Sequence, residues 1–109
     1  MLLVGVMAVL MSMLVTGCAG DDVPEVSADD AELVTGRDVY ARNCVACHGA
    51  AGQGGTGPKL SEGVVIERYP DVHDHIDIIA NGRNQMPAYG GKLTDEEIEA
   101  VVRYNREVL

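Results

Sequence analysis

Two stretches of the chain carry a clear helical alternation of apolar and polar positions, a third carries a helix start signal, and the first twenty residues carry no charge at all. From Leu93 onward, Ile98, Val101, Val102, Asn105 and Val108 recur at helical spacing. They follow Thr94-Asp95-Glu96-Glu97, a capping box in which Thr94 and Glu97 satisfy each other's exposed amides, with Leu93 placed to staple onto Ile98. The acidic start of this Leu93–Arg106 helix, and Arg103 and Arg106 near its end, suit the helix dipole. Asp71–Ala80 reads as a shorter helix whose apolar residues are Val72, Ile76, Ile78, Ile79 and Ala80, while His73 and His75, set among aspartates, read as solvated. A first helix is predicted from Thr35, its N-cap, with Asp38 reaching back, through Val39, Tyr40 and Asn43 to Cys47, until Gly49 stops it. No convincing strand interrupts these helices, and the fold class predicted is all-α.

The uncharged run Met1–Gly20 is a short apolar segment followed by small residues, the form of a secretory signal. Its end, Leu14-Val15-Thr16-Gly17-Cys18, resembles the lipobox of bacterial lipoproteins, which implies cleavage before Cys18 and acylation of that residue. A spanning helix wants about 20 apolar residues, so a retained signal anchor is the alternative. Either way residues 1–17 are expected to be a leader and the domain extracytoplasmic, in the periplasm or on the outer face of the cytoplasmic membrane. Asp21–Glu32 holds six acidic residues and no basic one, a composition too polar and one-sided to form a core. Residues 18–33 are therefore expected to be a lipidated cysteine and a flexible acidic tether of roughly 20 Å root-mean-square span, leaving residues 34–109 as a single domain.

Charge changes the picture mainly by its location. The chain carries −9 overall, but from Val34 onward 11 acidic residues face 8 basic ones, a net −3. No cluster of Lys and Arg suggests a nucleic-acid surface. There is no Trp and no Phe, and only four Tyr. A core of that kind in a chain of about 75 residues supplies only about 3–5 kcal/mol, and a large, flat, apolar group would fill and staple it.

The cysteines name that group. With Cys18 set aside, the remaining two stand as Cys44-Val45-Ala46-Cys47, followed at once by His48. This C-x-x-C-H run is the haem-attachment signature. Positions i, i+3 and i+4 of a helix share a face, so both thiols point toward the porphyrin's vinyl groups while the imidazole reaches the iron. A zinc site would have to add His73 and His75, whose H-x-H spacing misses the usual H-x3–5-H. A thiol redox pair would need a βαβ setting. Outside the leader Met86 is the only methionine, and it lies in Asn81-Gly82-Arg83-Asn84-Gln85-Met86-Pro87, a turn-rich loop rather than a helix. Met86 is the candidate second iron ligand, opposite His48; Arg83 and Tyr69 are candidate partners for the haem propionates.

From about Val34 to Leu109 the sequence resembles the class I monohaem cytochromes c of the short bacterial kind. The resemblance is carried by Gly36-x-x-x-Tyr40-x-x-x-Cys44-x-x-Cys47-His48-Gly49, by Gly57-Pro58-x-Leu60, by Asn81-Gly82 through Met86-Pro87, and by the last helix. It implies three to five short helices wrapped around one covalent haem c. It implies that the carbonyl of Pro58 accepts the proton on the second nitrogen of His48, a contact that orients the ligand and tunes the metal. It also implies a close crossing of first and last helices at Gly36 with Tyr40 and Tyr104 packed there, and a Gly49–Gly57 loop around the haem edge. An iron closed by His and Met, with sulfur favouring the reduced state, suits a monomeric one-electron carrier without turnover of its own. Its partners would be redox proteins such as respiratory complexes or a terminal oxidase. The alternatives are a haem subunit or sensor with an open iron position and, further off, a zinc or thiol module.

Overall fold

The computed structural model describes residues 23–109; the leader and Cys18 lie outside the described residues. Among the described residues the chain forms five α-helices and no strand: α1 Ala31–Asn43, α2 Val45–His48, α3 Val64–Arg68, α4 Val72–Asn81 and α5 Asp95–Glu107. The first and last helices cross and pack on each other, and α4 leans on α5. The long connection between α2 and α3 is bonded back to α2, Gly54 N to His48 O and Gly57 N to Cys47 O, each at 2.7 Å.

The crossing is close because Gly36 has no side chain. A Cβ there would stand 2.2 Å from the carbonyl oxygen of Ala100, so α1 and α5 meet backbone to backbone. Tyr40 and Tyr104 flank the contact with ring centroids 5.5 Å apart, tilted by 44°. Around them Val39, Ile79, Ile98, Val101 and Val102 complete the core, each side chain worth about 1.5–3 kcal/mol when fully buried. The α5 capping box forms in both directions, Glu97 N to Thr94 Oγ1 and Thr94 N to Glu97 Oε1, each at 3.1 Å.

Two expectations are corrected at the N-terminal side. The first helix starts at Ala31, with the Asp30 side chain capping the amide of Leu33 at 3.0 Å. Thr35 lies inside that helix, its hydroxyl turned back to the carbonyl of Ala31. From Val23 onward the acidic segment is also not a free tether. Val23 and Val26 pack against the core, and the hydroxyl of Tyr104 donates to the carbonyl of Pro24 at 2.8 Å. Arg37 pairs with Glu25, while Arg103 grips both oxygens of Asp30, at 2.8 and 2.7 Å, and reaches Glu32 at 3.0 Å. The acidic residues thus form a strap over the α1–α5 crossing, because their cationic partners come from α1 and α5.

Candidate haem site

The helix predicted to run unbroken to Cys47 turns at Cys44. The amide of Cys44 closes α1 on Tyr40 O at 2.9 Å, and Cys44, at φ −113°, is at once the last cap of α1 and the first of α2. His48 N bonds back to Cys44 O at 2.9 Å, so Cys44 and His48 stand one helical turn apart with Cys47 between them. Cys44 is half-buried, Cys47 exposed and His48 buried. Burial, with Cys47 as a second cause, pushes the Cys44 thiol up to about 12. Among the described residues no cluster of three His, Cys, Asp or Glu side chains is arranged to hold a metal ion.

Proline and glycine fix the imidazole. His48 Nδ1 donates to Pro58 O at 2.8 Å, which in the neutral ring leaves Nε2 as the free acceptor. Gly57 is bound to Cys47 O at 2.7 Å and lies flat against the ring; a Cβ on it would stand 2.9 Å from His48 Cε1 and 3.0 Å from Nδ1. Behind the motif Tyr40 donates its hydroxyl to Gly49 O at 2.6 Å, so the tyrosine at the helix crossing also holds the turn that ends α2.

Met86 reaches the same cleft from α4. Gly82 closes that helix on Ile78 O at 2.9 Å. The loop then folds on itself, Arg83 N to Met86 O at 3.1 Å and Met86 N to Arg83 O at 2.9 Å. The chain returns along α4 through Tyr89 N to Ile79 O and Gly90 N to Ala80 O. The hydroxyl of Tyr89 donates to Asn43 O at 3.1 Å, tying the Met86 loop to the residue before Cys44. Neither this tyrosine nor Gly57's contact with His48 was identified from the sequence. Tyr89 stands three residues after the methionine, but nothing local says that its partner is 46 residues away.

Cys44, Cys47, His48, Pro58 and Met86 all line one cleft of about 920 Å³, at the upper end of the range for ligand sites. Its apolar walls include Leu60, Val65, Ile78, Ile79, Leu93 and Val101. In a chain of net charge −9, no Asp or Glu among the described residues lines it, whereas Lys59, Arg68 and Arg83 do. An apolar slot with two thiols and an imidazole on one helix, a thioether on a loop and a cationic border fits a porphyrin carrying carboxylates. Arg83 and Tyr69 also border this cleft. His75 departs from expectation: it is 2 % exposed, facing inward with Ile79 one turn on, while His73 is exposed.

Residues 31–104 match the family described as cytochrome c oxidase, cbb3-type, subunit III. The chain belongs to the class I c-type cytochromes. This cytochrome is 34 % identical over 106 residues to cytochrome c6 of the Chlamydomonas reinhardtii chloroplast, covering 94 % of the chain and 68 % of that protein. It is 33 % identical over 102 residues to cytochrome c-551 of Bacillus subtilis, covering 89 % and 87 %. Among solved structures, cytochrome c6 of the diatom Phaeodactylum tricornutum superposes with a TM-score of 0.57 at 33 % identity, over 67 % of this chain and 88 % of that one. Cytochrome cL of Methylophaga aminisulfidivorans superposes at 0.65 with 25 % identity, over 74 % of this cytochrome and 55 % of the longer chain. The cofactor of the family is one covalent haem c, and the all-α fold of this chain is the family's fold.

Proposed function

We propose that this cytochrome is a one-electron carrier in which Cys44 and Cys47 would attach the haem and His48 and Met86 would ligate its iron. One observation carries the reading: His48, locked by Pro58, and Met86, held by its folded-back loop, border the same cleft. When bound, the haem supplies a one-electron iron couple whose reduced state the thioether sulfur favours. The chain's part is to hold the two ligands still and exclude water. Pro58 and Gly57 fix the imidazole, the Tyr89–Asn43 bond restrains the methionine loop, and Ile79 and Val101, both buried, wall the interior. With His48 and Met86 both on the iron no position would be open to a substrate, and the chain would pass electrons without turnover of its own. Its partners are redox proteins of a respiratory chain, met through small and transient contacts at the haem edge, where Cys47 is exposed.

The same reading places the cytochrome outside the cytoplasm, held to a membrane through Cys18 by acylation or through a retained leader. Among the described residues no helix is long and apolar enough to cross a membrane. Since the strap is packed from Val23 onward, five steps of chain separate it from Cys18, a reach of at most roughly 18 Å. The lipid would hold the domain close to the bilayer. Intact mass of the membrane-extracted wild-type chain separates the two: a chain that begins at an acylated Cys18 is expected, and one that keeps residues 1–17 with no acyl mass would exclude lipid anchoring.

The haem assignment is tested on protein made with haem-attachment machinery: sharp reduced bands surviving acid–acetone extraction are expected, and their loss would exclude covalent attachment. Met86→Ala is expected to lower the reduction potential and alter the spectrum. An unchanged spectrum and potential would remove Met86 from the iron.

A further inference from the structure

Two polar side chains on the wall of the cleft each leave one buried atom without a hydrogen-bond partner among the described residues. His75 of α4 is 2 % exposed and Asn105 of α5 is 3 % exposed, and both line the cleft. His75 Nδ1 and Asn105 Oδ1 are buried without a hydrogen bond, a costly arrangement unless something else in the cleft meets them. The surroundings hold His75 in place. The ring of Tyr69 stacks on it at 5.7 Å between centroids and 16° between planes. Arg106 is fixed beside it, donating to Tyr69 O at 2.7 Å and Pro70 O at 3.1 Å. Burial first, and the charge of Arg106 second, lower the imidazole to about 4, so it is neutral and carries one ring proton to donate. The field of Arg106, which opposes a positive charge on His75, favours an anion beside it.

The chemistry of haem limits what reaches these atoms. A porphyrin's periphery is apolar apart from two carboxylates, and those lie on the edge opposite the groups that react with cysteine. Cys47 is exposed, whereas His75 and Asn105 are sealed. A haem bound at its solvent-side edge turns its carboxylate edge inward. We propose that His75 and Asn105 hold one haem propionate at the buried end of the cleft, His75 donating from Nδ1 and Asn105 from its amide. The terminal torsion of Asn105 is two-fold, so the same amide presents its NH2 where the oxygen now stands. Arg68, which borders the cleft, supplies further positive charge.

The inference rests on the haem reading above, and its test uses holoprotein in which attachment has already been established by extraction. In the reduced, diamagnetic protein, nuclear Overhauser contacts are expected between the His75 ring and the methylene protons of one propionate. Redox-difference infrared spectra, recorded with carbon-13 in the haem carboxylates, are expected to show a shifted carboxylate band in His75→Leu and in Asn105→Val, with His75→Gln closer to wild type. Overhauser contacts from His75 only to haem methyl or thioether protons, or labelled bands unchanged in both variants while the visible spectrum stays normal, would overturn the proposal. Should His75→Leu fail to retain haem, the wild-type Overhauser pattern and Asn105→Val still decide it.

Discussion

The hydroxyl of Tyr104 donates to the carbonyl oxygen of Pro24 at 2.8 Å, across 80 positions of the chain. It fastens the N-terminal strap to the α1–α5 crossing, where the ring of Tyr104 already packs on Tyr40. Tyr104→Phe keeps the packing and removes the bond. It is expected to cost about 0.5–1.5 kcal/mol, read as a lower thermal midpoint of the holoprotein with an unchanged visible spectrum.

A second strap contact gives a pH signature. The bond from Arg103, then that from the Leu33 amide, holds the Asp30 carboxyl below its usual value. A group lowered in the folded state contributes stability above its unfolded value and loses it as pH falls through the folded one. Asp30→Asn keeps the helix cap and loses the ion pair. Wild type is therefore expected to be the more stable at pH 7, with the difference shrinking below about pH 4. Denaturant midpoints at the two pH values check this; a gap that persists at low pH would mean that the ion pair is not its source.

Gly57 lies against the proximal ring. In Gly57→Ala the added Cβ would stand 2.9 Å from His48 Cε1, so the ring or the loop has to give, and a displaced ring strains its bond to Pro58 O. The bond from Nδ1 raises the basicity of the ligand, and a more basic ligand favours ferric iron. Weakening it is expected to raise the reduction potential, measured by redox titration. An unchanged potential would mean that the loop, not the ring, absorbs the methyl group.

The Tyr89–Asn43 bond ties the two halves of the site together. Tyr89→Phe frees the Met86 loop at one point without touching Met86. The reduced variant is expected to bind carbon monoxide faster than wild type, with little change in thermal midpoint, which stopped-flow mixing measures. Equal rates would place the restraint on Met86 elsewhere in the loop.

The parts legible in the sequence are those whose cause is local. The capping box of α5 lies within four residues, and its buried face repeats every turn, so both were readable. Cys44, Cys47 and His48 form a chemical pattern whatever surrounds it. The start of α1 was misread because the acidic segment looks solvated on its own, while Arg37 and Arg103, which hold Glu25 and Asp30, lie 12 and 73 positions away. His75 was misread from its neighbours at one and two positions, which on a helix point elsewhere; its partner on the same face is Ile79, and the i, i+4 pairing was the signal to use. Asn105 was read as one more position on the buried face of α5, and only the cleft shows that its amide is left unpaired.

The most direct test of the central claim is the visible spectrum of the reduced wild-type holoprotein before and after carbon monoxide is added. With Met86 on the iron opposite His48, the spectrum is expected to stay unchanged over minutes. Prompt conversion to a carbon monoxide adduct would contradict the account, because it would mean an open iron position and a chain built to bind a ligand rather than to carry electrons.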